Sequence, residues 1–145
     1  MPDKRTIERA RADRRAGKSP STQAGEFVRE EIDKIRHDKH GARSARQAIA
    51  IGLSEAQRAG VDLPPPKRGR TSERTRKSAQ YAYDAGQGKR KTRRRPRVSR
   101  AVSRALKREP HGTVSRAALS RQGRRAAARR TKTQRSTTAR KAART

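Results

Sequence analysis

Apolar side chains recur at the spacing of one helical face between Thr22 and His40, which predicts an amphipathic helix. The bulky residues of this face are Phe27, Val28, Ile32 and Ile35. Ser19-Pro20 or Thr22 can begin the helix, because a Ser or Thr side chain accepts a bond from a free backbone amide and Pro suits a first turn. Gly41 can end the helix in the left-handed conformation.

A second helix is predicted directly afterwards, and both of its ends are marked. Ser44-Ala45-Arg46-Gln47 matches a capping box, in which the Ser and Gln side chains each bind a free backbone amide. Gly60 can end the helix, with Val61 folding back onto Ala56 as in a Schellman motif. The stripe between these ends has a small residue at its middle, which suits close helix packing: Ala48, Ile49, Gly52, Leu53 and Ala56. The two helices predict a helical hairpin over residues 19–63.

The hairpin has few bulky apolar residues for a domain that folds alone. The simplest interpretation of its apolar face is an internal core. The alternative is a contact with a second copy or another protein, made by Phe27, Val28, Ile32, Ile35, Ile49 and Leu53.

Weaker helical signals flank the hairpin. Residues 1–18 can form a helix after Asp3, but Ile7 is its only bulky apolar residue, which predicts a frayed segment. Residues 72–85 predict a short helix that is stopped by Gly86 within a Pro-rich and basic linker, residues 64–97. Its tyrosines, at positions 81 and 83, do not share a helical face, which disfavours a stacking platform built from both.

A repeated VSRA sequence marks the last segment, residues 98–145, in which the motif begins at Val98, Val102 and Val114. Apolar residues around each motif recur at helical spacing, with arginines on the other faces. Helices this short are marginal alone, and their cations repel one another. The pattern therefore predicts two transient basic amphipathic helices that fold on binding, followed by a disordered end.

The amino-acid composition leaves few apolar residues with which to build a hydrophobic core. The 145 residues are 28% hydrophobic and 2% aromatic, with a formal charge of +29. Residues 1–66 carry a net charge of +4 and residues 67–145 carry +25, with Pro64-Pro65-Pro66 at the boundary. Such a chain buries too little apolar surface to offset its conformational entropy. The expected fold is mainly α with extensive disorder: a small helical hairpin followed by a cationic arm that contains short transient amphipathic helices.

The unopposed charge of the arm predicts binding to nucleic acid, because cations placed near phosphates release condensed counterions. Residues 87–108 contain 11 Lys and Arg and no acid. The candidate DNA- or RNA-binding residues are Lys67, Arg68, Arg70, Lys89, Arg90, Lys91, Arg93, Arg94, Arg95, Arg97, Arg100, Arg104, Lys107, Arg108, Arg116, Arg121, Arg124, Arg125, Arg129 and Arg130.

One short motif within this set has a sharper alternative. Lys67-Arg68-Gly69-Arg70 resembles an AT-hook, whose arginines lie along the narrow minor groove of A·T tracts. Thr71 stands where a hook has a second proline, and a single such triplet is weak evidence in a chain this rich in arginine. We favour phosphate contacts without base reading for these residues.

Other chemistries lack their required residues. We expect no enzyme and no cofactor, because no nucleophile with a base, no phosphate-binding glycine loop and no carboxylate pair in an apolar pocket is present. His37 and His40 are three residues apart without a third ligand nearby, so we expect no metal site. The basic amphipathic segments contain no Trp or Phe, which disfavours a membrane surface. Without cysteine, signal peptide or apolar span, the chain is expected to be soluble and cytoplasmic.

The segment GARSARQAIAIGLSEAQRAGVDLPPPK, residues 41–67, resembles a family of short, basic bacterial proteins of unknown function. The family is marked by a QAIAIGLSEA-type helix, with which Gln47 to Ala56 agrees throughout, while Gln57 replaces the usual Arg. The arm resembles the tails of linker-histone-like bacterial proteins in composition only. These resemblances imply a bacterial setting and no mechanism.

The function expected from the residues is non-enzymatic binding of nucleic acid. Duplex DNA is favoured as the partner, in the manner of a histone-like nucleoid protein with little sequence specificity. An RNA-binding or ribosome-associated protein is the alternative, because arginine dominates over lysine by 31 to 11. A third hypothesis is an adaptor that binds a protein partner through the hairpin.

Overall fold

Helices make up most of the chain in the computed structural model, which describes residues 1–93 and 95–144. Within these residues lie seven α-helices and one short 3₁₀ helix. Their bounds in chain order are α1 Lys4–Arg15, α2 Pro20–Arg36, α3 Ala45–Arg58, α4 Glu73–Gly86, α5 Pro96–Lys107, the 3₁₀ helix Gly112–Val114, α6 Arg116–Ala128 and α7 Lys132–Ala143.

The expectation of extensive disorder is wrong, and so is that of transient helices in the arm. Helix caps and residues of high helix propensity stabilise helices here, and the overall composition does not show the caps. Six of the seven described α-helices begin with an Asp, Ser or Thr side chain that accepts a bond from a first-turn amide. The exception, α5, has Pro96 in its first turn. Alanine and arginine, which dominate the arm, are also among the best helix formers.

The predicted positions of both ends of α3 are confirmed, while the capping box at its start forms only in part. Ser44 accepts a bond from the Gln47 amide at 3.2 Å, and the Gln47 side chain returns to the amide of Arg43 rather than to that of Ser44. At the other end, Gly60 has a φ of 91°, and the Val61 amide donates to the carbonyl of Ala56. This is the Schellman motif expected from the sequence.

The end of α2 differs from the prediction. Asp38, with a φ of 56°, takes the left-handed position, and the amide of Lys39 donates to the carbonyl of Lys34. Asp tolerates this conformation better than most residues because of its short polar side chain. Gly41 therefore does not end α2, and its backbone instead lies close to that of Glu109 in the arm.

The core lies between α2 and α3, which cross closely at Gly52, and α1 and α4 pack beside this pair. Phe27 is fully buried with Ala24 and Ala56, against the partly buried Ile7 of α1. The sequence predicted a frayed first segment, and the structure packs this segment as α1 against α2. Its helix is fixed by the burial of Thr6 and Ala10 and by an ion pair of 2.8 Å between Arg9 Nε and Glu26 Oε2.

A second buried cluster joins the arm to the hairpin. Val114 is fully buried against Ile35, Ala42 and Ala48, so it is not part of an exposed amphipathic helix as the repeat predicted. The main chain fixes the same contact, because the amide of Gly41 donates to Leu106 O at 2.8 Å and that of Ala42 donates to Pro110 O at 3.0 Å. We refer to Leu106–Val114 as the docking segment. The repeat placed Val114 at the start of a helical stripe, whereas α6 begins only at Arg116 and Val114 ends the 3₁₀ helix before it.

Replacing Gly41 with alanine is expected to release the docking segment, because the new Cβ would overlap the carbonyl of Glu109. The variant should lose about 2 kcal/mol of local stability from the two hydrogen bonds alone. Amide hydrogen exchange would then show loss of protection at Ala42 and the docking segment, while the centres of α2 and α3 stay protected.

Gly112→Ala provides the matched control in the same segment, since a Cβ there meets nothing within 4 Å. Equal protection of Ala42 in both variants would contradict the close approach at Gly41.

A charged group is buried where α2 faces α3. Glu31 is 1% exposed, and its Oε1 lies 3.5 Å from Nε2 of His40. Beside it, the Lys34 ammonium lies 2.7 Å from Glu30 and 3.7 Å from Glu55. Burial raises the pKa of the Glu31 carboxyl above its ordinary value; the interaction with His40 opposes this rise and the nearby Glu55 adds to it.

Replacing Glu31 with glutamine is expected to stabilise the protein near pH 7 by about 1 kcal/mol, because the neutral amide avoids burying a charge. The raised folded-state pKa means that the wild type is most favoured while Glu31 is protonated, and that it loses stability as the pH rises through that pKa. The advantage of Glu31→Gln should therefore vanish below about pH 4, where the wild-type carboxyl is neutral too. Urea unfolding of both proteins across this pH range measures the difference; a difference independent of pH would contradict the prediction.

Candidate nucleic-acid interface

The candidate binding residues share one property, which is access to solvent. All of them that the structure describes are exposed, from Lys67 through Arg130. Arg94 was also predicted and lies outside the described residues. None of the described cations of this set is buried in the core.

The charge of these residues is also largely unopposed. Ion pairs concentrate in the first half of the chain, as between Arg9 and Glu26. From Lys67 onward, Arg76 is the only described Lys or Arg within ion-pair distance of a carboxylate, with its Nη2 3.0 Å from Glu73 Oε2. The arm therefore presents its cations to the solvent without internal neutralisation, which suits a polyanionic partner.

Helix α5 displays its cations on one side. The basic residues of the helix and of its C-cap position follow the spacing i, i+3, i+7, i+10 and i+11 and occupy a face opposite the valines. These residues, which we call the basic face of α5, are Arg97, Arg100, Arg104, Lys107 and Arg108. No side chain of α5 is buried, and Val98 and Val102 are 54% and 52% exposed. The helix holds about 18 Å of rigid cationic surface away from the core.

The segment with the AT-hook resemblance forms a turn. The amide of Arg70 donates to the carbonyl of Lys67 at 3.2 Å, and Gly69 has a φ of 80°. An AT-hook is extended along the groove, so this turn would have to open before Arg68 and Arg70 could lie there. As folded, the turn exposes its three cations to phosphate.

Two clefts bring distant cations together. Arg70 and Arg130 line one of about 420 Å³ beside α7. The other, of about 320 Å³, lies between the start of α3 and α6 and is lined by Arg46, Arg121 and Arg125. Arg46 was not among the predicted residues, because only the packing of α6 against α3 places it beside the arm cations. It lies within a capping motif whose sequence pattern indicates a structural role alone.

The apolar residues considered for a protein partner divide into two groups. Phe27 and Ile35 are fully buried within the chain. The other four, Val28, Ile32, Ile49 and Leu53, are partly exposed, so only these four of the six considered residues are accessible to a partner.

The histidines have separate partners. His37 Nδ1 lies 2.7 Å from the carbonyl of Asp33, and His40 lies between the Gly41 carbonyl and Glu31. Across residues 1–93 and 95–144, no group of three or more His, Asp or Glu side chains is arranged to hold a metal ion. In the same residues, every helix is too short or too polar to cross a bilayer.

The part of the chain that matches a known protein family is less than half of its length. No curated protein and no solved structure is significantly similar to it. Residues 3–68, which span α1 to α3, match a family of unknown function, DUF6496. The resemblance to an uncharacterised family is therefore supported at the level of a family, while the particular motif from Gln47 to Ala56 stays a prediction.

Proposed function

We propose that this chain is a non-enzymatic nucleic-acid-binding protein that coats duplex DNA by neutralising its phosphates, with little sequence specificity. The observation that carries the proposal is the exposed and almost unpaired set of cations after Pro66. In this account the protein is cytoplasmic and associated with the nucleoid, as a histone-like protein would be.

The uneven distribution of charge assigns different roles to the two halves of the chain. The first half has nearly balanced charge and contains most of the core, so it acts as a scaffold. The second half places cations on exposed helices, where the basic face of α5 can follow a phosphate backbone without unfolding anything. Because α5 is already helical, binding avoids part of the ordering entropy that a disordered arm would lose. Affinity then comes chiefly from counterion release.

Folded RNA is the second candidate, and a specific observation favours it. Arginine outnumbers lysine by 31 to 11, and guanidinium groups stack on bases and bind phosphate through two bonds. The clefts that group arginines suit an irregular phosphate backbone equally well.

Competition between duplex DNA and a structured RNA of equal phosphate number tests the proposal. The chain of residues 1–145 should bind the duplex tightly in low salt and prefer it to the RNA. With about eight phosphate contacts, the logarithm of the binding constant should fall against that of salt with a slope of about −7. Preference for RNA would support the second candidate instead. Failure to bind either polymer in low salt would overturn the proposed function.

A further inference from the structure

The three aromatic rings of the chain have different surroundings. Phe27 is fully buried in the core. Tyr83 is half-buried, and its hydroxyl donates to Asp62 Oδ1 at 2.6 Å, which ties α4 to the segment after α3. Tyr81 is 38% exposed, and in the described part of the chain its hydroxyl has no hydrogen-bond partner. The fold therefore uses two of these rings and leaves the third accessible.

A cation already lies on the accessible ring. The guanidinium carbon of Arg90 is 4.7 Å from the centroid of the Tyr81 ring, which is the distance of a stacked cation–π pair. This pair forms because α4 ends in a Schellman turn at Gly88, which directs the following basic residues back along the helix. The guanidinium covers one face of the ring, and because Arg90 is itself exposed, another flat group can stack on the outer face of this pair.

Most charged residues around this pair are cations, with Asp84, three residues after Tyr81 and hydrogen-bonded to Gln80, as the acidic exception on the same helix. Arg74 and Lys77 precede Tyr81 by seven and four residues, so they lie on the same face of α4, and both are exposed. Lys89 and Lys91 flank Arg90 and are exposed as well. An aromatic ring set among cations that follow a helix face matches the chemistry of a nucleotide, in which a flat base is joined to a phosphate.

We propose that Tyr81 and Arg90 form a stacking site for an unpaired base of a single-stranded nucleic acid. The inference rests on the proposed function, since the surrounding cations must hold the backbone nearby. Bases inside a duplex already stack on one another and do not reach the ring, so this site adds affinity only where a strand is unpaired. Duplex binding through α5 and base stacking at Tyr81 are thus separate contributions.

The test compares two single strands of the same charge. One is an oligothymidylate of about 20 nucleotides, longer than the span of a typical single-strand site, and the other is an abasic strand with the same number of phosphates. The wild type should bind the oligothymidylate about tenfold more tightly. Tyr81→Ala should remove that preference and leave binding of the abasic strand and of duplex DNA unchanged. Tyr81→Phe, which keeps the aromatic ring, should retain the preference for the oligothymidylate.

Tyrosine emission gives a direct second readout, because the chain has two tyrosines and no tryptophan. In the Tyr83→Phe variant all emission comes from Tyr81, and the oligothymidylate should quench it more strongly than the abasic strand does. A parallel titration with oligouridylate distinguishes RNA from DNA as the source of the base.

The outcomes separate this inference from the proposed function. Equal binding of the two strands by the wild type, or a preference that survives Tyr81→Ala, would overturn the stacking site while the phosphate contacts stand. Failure of every strand to bind in low salt would overturn both.

Discussion

Replacing Gly52 with leucine should destabilise the protein by about 4 kcal/mol, which exceeds the usual cost of overpacking because the obstacle is main chain. A Cβ at Gly52 would lie 2.6 Å from Val28 Cα and 2.9 Å from Val28 N, so α2 and α3 would have to separate. Such a loss is a large part of the stability of a small domain. The melting temperature, followed by circular dichroism, should fall by at least about 10 °C.

Gly25→Leu is the matched control. Gly25 also lies within a helix, but it is exposed and a Cβ there meets nothing within 4 Å. That substitution should raise stability by about 0.5 to 1 kcal/mol, since leucine has the higher helix propensity. Similar melting temperatures for the two leucine variants would contradict the close crossing of α2 and α3.

Neutralising the basic face of α5 should weaken binding to duplex DNA about a thousandfold in ~0.1 M salt. The variant carries glutamine at Arg97, Arg100, Arg104, Lys107 and Arg108. Glutamine is a good helix former, so α5 should persist while its counterion release is lost. Circular dichroism checks the helix content, and fluorescence anisotropy with labelled duplex measures the affinity.

A control of equal charge separates position from net charge. Five exposed cations of the first half provide it without touching an ion pair: Lys4, Arg5, Arg11, Arg15 and Arg29. Replacing these with glutamine removes the same number of lysines and arginines. The control should lose about tenfold or less in affinity, through weaker long-range attraction alone. Equal losses in both variants would mean that net charge, rather than the α5 surface, determines binding.

The hairpin could be predicted from the sequence because its signals are local. Ser44 with Gln47, and Gly60 with Val61, mark helix ends through bonds between residues close in the chain. Gly52 in an apolar stripe indicates a close helix crossing by its position in the sequence alone. Such features need no knowledge of what packs against them.

Long-range packing could not be predicted in the same way. Val114 is buried against Ala42 although its immediate chain neighbours are polar, and Asp38 rather than Gly41 ends α2. The overall composition predicted disorder because it counts apolar residues and ignores helix caps. The capping box of Thr131 and Gln134 is legible in the sequence, but α7 has no apolar stripe to draw attention to it.

For the candidate interface, the sequence was sufficient to predict that the cations are exposed. It was not sufficient to predict which of them lie together in the fold. A chain with so many cations and so small a core must leave most of them at the surface, so the exposure of residues such as Arg97 follows from number alone. The clefts that join Arg46 to Arg121, and Arg70 to Arg130, depend on how helices pack. The contact between Arg90 and Tyr81 likewise depends on the turn at Gly88.

The salt dependence of duplex binding, measured side by side for the wild type and the two five-glutamine variants, tests the central claim most directly. If the exposed cations of the arm bind phosphate, the slope for the α5 variant should be shallower than that of the wild type by about 4.5, and the slope for the first-half variant should change by much less. Three equal slopes would contradict the claim that this surface of the arm contacts nucleic acid.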